Sequence, residues 1–142
     1  MTLREFHNNL FKIDPIPIKE QAVIDVKEQI LQMNKTQLRE GKNNKGRYIE
    51  PRYSDLYLKR KCKLSSYGAP NGVPDLYLHG DFQGEMDVIV ENGQYDIISW
   101  DEKNAYLTER YANIFGLTKE SKELITPVVT KRFIELYREQ LN

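Results

Sequence analysis

Residues 86–100, MDVIVENGQYDIISW, decide the fold. Two runs of alternating apolar and polar side chains flank Asn92-Gly93. That dipeptide is a strong signal for a two-residue type I′ hairpin, because both central residues of the turn must take positive φ. The turn sets the register: Val90 faces Tyr95, Val88 faces Ile97 and Met86 faces Ser99. These six residues form the expected buried face. Asp87, Ile89, Glu91, Gln94, Asp96 and Ile98 form the other face, which is acidic but carries two isoleucines, and so predicts partial cover.

Helical spacing surrounds the hairpin. Val23, Val26, Ile30, Met33 and Gln37 share one stripe, with Ile24, Leu31 and Leu38 beside it, and together they predict one long helix over 18–40. Gly41 ends it, with Lys35 and Arg39 in its last turns. Downstream, Ser99 and Glu102 match a capping box and predict a helix over 100–115, with Ala105, Thr108, Tyr111, Ala112 and Phe115 on one face and Gly116 as its stop. Thr118 caps a further helix that Thr126-Pro127 restarts or kinks. Val129, Phe133, Leu136, Tyr137 and Leu141 supply its core stripe. Leu76-Tyr77-Leu78 reads as a short strand. Residues 1–17 form an N-terminal arm in which Leu3, Phe6, Leu10, Phe11 and Ile13 make an amphipathic segment, closed by Pro15 and Pro17. It packs either on a partner or on its own core. The fold class is therefore α+β: a small antiparallel sheet with a β-hairpin, flanked by a long N-terminal helix and C-terminal helices, with a long extended loop or arm, in a single domain over 1–142.

Charge is divided along the chain. Residues 35–63 hold Lys35, Arg39, Lys42, Lys45, Arg47, Arg52, Lys59, Arg60, Lys61 and Lys63 against Glu40, Glu50 and Asp55. Residues 75–109 hold Asp75, Asp81, Glu85, Asp87, Glu91, Asp96, Asp101, Glu102 and Glu109 against Lys103 alone. The formal net charge of zero hides this polarity, which points to docking, either to copies of the chain or to nucleic acid. The basic residues lie mostly in 41–75, a long basic loop or arm bounded by GKNNKG and YGAPNGVP. Its tyrosines argue against plain disorder. Lys42, Lys45, Arg47, Arg52, Lys59, Arg60, Lys61 and Lys63 are the candidate contacts to a neighbouring subunit or to DNA. Asp87, Glu91 and Asp96 are the candidate acidic docking face.

Catalytic motifs are sparse. The single cysteine, Cys62, excludes an internal disulfide and reads as an incidental thiol. His79-Gly80-Asp81 offers one imidazole where a metal site needs three or four converging ligands, and no HExxH or CxxC is present. GKNNKG lacks the phosphate-loop spacing. No catalytic residue, metal or cofactor is expected, and the chain reads as a non-enzyme. The alternatives are a nucleic-acid-binding module using the basic 42–63 segment, and a small carboxylate-dependent hydrolase using Asp81, Glu85 and Asp87. The N-terminal residues MTLREFHNNLFKI lack an apolar signal core, and no apolar run approaches a membrane span. A soluble, intracellularly made protein with no membrane partner is expected.

The order of segments resembles small virion proteins of tailed bacteriophages and prophages: head–tail connector, tail-completion or minor tail proteins. The residues that carry the resemblance are Leu38, Gly41, Gly46, Tyr53-Ser54, Tyr57 and Lys59, then DLYLHGDF at Asp75–Phe82, then Tyr111 with IFGLT up to Thr118. It covers about residues 24–141. It implies a virion subunit, made in the host bacterial cytoplasm, that forms a sixfold or twelvefold ring at the head–tail junction or tail end. Its partners would be copies of itself and other neck, tail or portal proteins, with possible contact to packaged DNA in the channel. A basic arm and an acidic sheet on one subunit suit a head-to-tail contact that closes into a ring.

Overall fold

The computed structural model describes residues 2–64, 67, 69, 72–77 and 80–141. The fold is α+β. In chain order it comprises α1 (Leu3–Lys12), α2 (Pro15–Asp25), α3 (Lys27–Arg39), α4 (Asp55–Leu64), α5 (Asp81–Gly84), β1 (Met86–Glu91), β2 (Gln94–Ser99), α6 (Asn104–Arg110) and α7 (Lys119–Leu141). Among the described residues no helix is long and apolar enough to cross a membrane.

The hairpin pairs as its turn dictates. Met86 lies opposite Ser99, Val88 opposite Ile97 and Val90 opposite Tyr95. Asn92 has φ 52° and Gly93 φ 75°, the type I′ signature. Met86, Val88, Ile97 and Ser99 are buried, while Val90 and Tyr95 are half-buried near the turn. The Gly93 N–H donates to the Glu20 carboxylate at 2.9 Å, which ties the turn to α2.

α2 and α3 pack against both the hairpin and α7. The expected single helix over 18–40 is broken at Val26, whose φ and ψ are −108° and 10°. Its N–H is shared among the carbonyls of Ala22, Val23 and Ile24. No proline or glycine is involved. Val23, Ile24 and Val26 are β-branched and lower local helix propensity, and the break lets each half follow a different neighbour. The core joins Val23, Val26, Ile30, Leu31 and Leu38 to Phe82, the inner hairpin face, Ile114, Leu117 and Ile125.

The helix expected over 100–115 is shorter. Ser99 does not cap it, because α6 begins only at Asn104: the Ser99 hydroxyl donates to the Phe82 carbonyl at 2.7 Å and accepts from the Asp101 N–H at 3.2 Å. Trp100 extends the strand by pairing its N–H with the Glu85 carbonyl. The turn into α6 is held by the Asp101 carboxylate, which accepts from the Lys103 N–H at 2.9 Å. α6 stops at Arg110, and Tyr111 is already extended. Residues 111–117 instead plug the core with Tyr111, Ile114 and Leu117. A non-helical buried segment must find partners for its backbone, and amide side chains supply them. Wholly buried Asn34 donates to the Ile114 carbonyl and accepts from the Gly116 N–H. Gln37 bonds the Gly116 carbonyl and the Thr118 N–H. Asn44 bonds the Phe115 carbonyl. Gln37 thus sits on the buried stripe because it serves this loop.

Thr118 caps α7 through its side chain to the Ser121 N–H. Pro127 lies inside α7 and neither restarts nor ends it. The Thr126 hydroxyl donates to the Lys122 carbonyl one turn back. Along the rest of α7, Val129, Phe133, Leu136, Tyr137 and Leu141 are half-buried. The expected strand 76–78 does not form at Leu76 or Tyr77, and Leu78 lies outside the described residues.

Candidate functional site

The basic segment is folded onto the body of the molecule. Gly41, with φ 78°, closes α3, and a Cβ there would stand 2.5 Å from Val73. The GKNNKG stretch is an ordered turn in which the Asn43 side chain accepts from the Lys45 and Arg47 N–H groups. Lys42 bridges to Tyr48, and Ile49 is buried. Ser54 then caps α4 by accepting from the Tyr57 N–H.

α4 divides its own cations. Lys59, Arg60 and Lys63 point to solvent. Lys61 shares the inward face with Tyr57 and Leu58, as helical spacing requires. It is fully buried, forms an ion pair with equally buried Asp75 at 2.8 Å, and donates to the Tyr77 carbonyl. Asp75 Oδ1 also accepts from the Tyr77 N–H at 3.2 Å, while Oδ2 is buried without a hydrogen-bond partner among the described residues. Lys61 is therefore removed from the candidate docking cations. It pins the basic segment to the start of the acidic one, so the segment is not a tethered arm. Lys45, Arg47 and Arg52 are exposed and Lys42 is half-buried. The accessible positive charge lies on the 42–48 turn, at Arg52 and on the outer side of α4.

The acidic face is also smaller than expected. Asp87 lies 3.6 Å from the Lys27 ammonium and is partly neutralised within the chain. Glu91 and Asp96 remain exposed, with Ile89 exposed between them and opposite Asp96 in register. Asp81 and Glu85 lie at the two ends of α5, where the Asp81 carbonyl accepts the Glu85 N–H. His79 lies outside the described residues. Among the described residues no three His, Cys, Asp or Glu side chains converge as a metal site would need.

Two further surfaces are formed, one on the N-terminal arm expected from the sequence and one that the residues did not disclose. The first is α1. Thr2 and Glu5 form a reciprocal capping box, at 3.1 and 2.7 Å. No residue of α1 is buried: Leu3 is 88% exposed, Phe11 79% and Phe6 40%. The option that this segment tucks into its own core therefore fails, although α1 does touch α7. The Thr-x-x-Glu pattern at 2–5 was the available signal.

The second is a groove of about 620 Å³ between α4, α5 and α6, walled by Tyr53, Tyr57, Tyr77, Tyr106 and Tyr111 with Lys103 and Arg110. Tyr53 and Tyr57 rings lie 4.7 Å apart. Arg110 covers the Tyr111 ring at 5.6 Å and donates to its hydroxyl at 3.2 Å. Burial pushes the Tyr53 phenol far above its ordinary range, so it stays protonated at any working pH. No spacing pattern in the sequence brings these five tyrosines together, since they come from three separate segments. A separate apolar cavity of about 820 Å³ lies between α2, the hairpin and α7.

Comparison with family models, with curated proteins and with solved structures finds no match to this chain.

Proposed function

We propose that this protein is a structural assembly subunit that works by docking to further copies and to neighbouring proteins. The observation that carries this reading is α1. A ten-residue helix is marginal in water even with a good cap. This one keeps Leu3, Phe6 and Phe11 exposed. Covering each such side chain is worth about 1.5–3 kcal/mol, so a partner surface gains most of what α1 leaves unused. Lys59, Arg60 and Lys63 on one element and Glu91 and Asp96 on another give opposite charge to separate faces. That suits a heterologous contact between copies.

Within this reading, the resemblance to connector, tail-completion and minor tail proteins makes the assembly a ring at the neck or tail of a tailed-phage virion. The test is the mass in solution as a function of salt, for the native chain and for a variant with Lys59, Arg60 and Lys63 reversed to Glu. Lys61 is left native because it is a buried structural residue. Charge pairing between copies requires that the reversal lower the mass. Assembly unchanged by it would remove the electrostatic part of the proposal.

A further inference from the structure

The tyrosine groove has features that assembly through α1 and surface charge does not use. Its wall is built and held. Leu76 lies there with φ 55°, a left-handed conformation that costs a non-glycine residue about 1–2 kcal/mol. It is fixed from several sides. The Leu76 N–H donates to the Tyr53 hydroxyl at 3.1 Å, and Gln83 Nε2 donates to the Asp75 carbonyl at 2.9 Å. The adjoining Lys61–Asp75 pair locks the same stretch. Strain maintained by this many bonds concentrates at functional sites.

The lining itself points to a ligand chemistry. Tyr57 and Tyr106 are 37% and 62% exposed and offer ring surface at the groove. Lys103, which precedes α6, and Arg110, its last residue, line the groove with them. Flat ring faces flanked by cations suit a planar base joined to phosphates. The volume is within the range of small-ligand sites. Asp81, also in the lining, offers an acceptor for an exocyclic amine of a base.

We propose that this groove binds a segment of single-stranded nucleic acid. A base stacks on Tyr57 and Tyr106, and Lys103 and Arg110 hold the flanking phosphates. The site differs from a purely electrostatic contact along 42–63, because it needs rings and an unpaired strand. A duplex cannot present its base faces to the groove.

The experiment is fluorescence anisotropy of a labelled oligodeoxycytidylate, whose bases carry an exocyclic amine, and of a duplex of equal length, at low and moderate salt. The single strand is expected to bind more tightly than the duplex. Tyr106→Ala should weaken single-strand binding about fivefold or more, while Tyr106→Phe retains it. Lys103→Gln should reduce the salt slope by about 0.7, the value for one phosphate on a single strand. Tyr106 is largely exposed, so far-UV circular dichroism should be unchanged in both Tyr106 variants. Equal affinity for the duplex would overturn the proposal, as would native affinity in Tyr106→Ala. A Tyr106→Ala variant that changes the assembled mass but not oligonucleotide binding would also overturn it, by showing that the groove holds polypeptide.

Discussion

The hairpin and the segment from Gly41 to Tyr77 carry the two halves of the charge pattern, yet they are held by opposite means. The hairpin rests on local rules: a turn that Asn-Gly accommodates easily, alternation with a period of two, and one buried face. Among its described residues, the 41–77 segment has little regular structure outside α4. It is held by contacts far apart in sequence: Ile49 and Val73 in the interior, the Tyr53 N–H on the Gly72 carbonyl, and the Lys61–Asp75 pair. Local devices spread their stabilisation over many small contributions. The long-range device concentrates it in a few groups that fail when one partner is removed.

The comparison breaks hardest at the ion pair. Lys61→Met leaves Asp75 buried and unpaired, and should cost about 3–5 kcal/mol in urea denaturation. Asp75→Asn keeps an acceptor near the Tyr77 N–H and should cost less. A loss below 1 kcal/mol for Lys61→Met would mean that the pair is not buried in solution. Next comes Asn34→Ala, which strips partners from the Ile114 carbonyl and the Gly116 N–H. The expected cost is about 1–3 kcal/mol for each group left unpaired, read from the same denaturation curves. In the hairpin, Gly93→Ala meets only an ordinary contact with Ile16, so its cost is conformational. That cost should be about 1–2 kcal/mol, with the added hydrogen exchange confined to β1 and β2.

The smallest effect concerns pH. Asp25 is held below its ordinary pKa by the hydrogen bond from Arg132, and then by that from Gln21. A depressed carboxylate contributes stability above its unfolded value, about 4, and loses it as pH falls through the lower folded value. Arg132→Gln should therefore lower the urea midpoint slightly at neutral pH and leave it unchanged in strong acid.

The same contrast explains what the residues disclosed in advance. Val88, Ile97 and Asn92-Gly93 gave the register because every relevant interaction lies within fifteen residues. Gly41 and Thr118 marked helix ends for the same local reason. Lys61 looked like one more solvated charge in KRKCK. Its role depends on Asp75, which is distant in sequence, and only its helical phase with Tyr57 and Leu58 hinted at burial. Ser99 fitted a capping box and its hydroxyl does accept from the Asp101 N–H, but strand pairing and the Asp101 turn delay the helix to Asn104. The break at Val26 and the non-helical plug at Tyr111–Leu117 arise from packing and from the amides of Asn34, Gln37 and Asn44. The tyrosine groove was hidden because its walls come from three separated segments.

The central claim is that α1 is an interface helix. Light scattering of the native chain at micromolar concentration and low salt tests it most directly, beside the Leu3→Asp, Phe11→Asp double variant. The native chain should have a mass above the 16.7 kDa of one chain, and the variant a lower mass with an unchanged fold by circular dichroism. A native chain that stays at the single-chain mass, or a double variant that assembles like the native one, would contradict it.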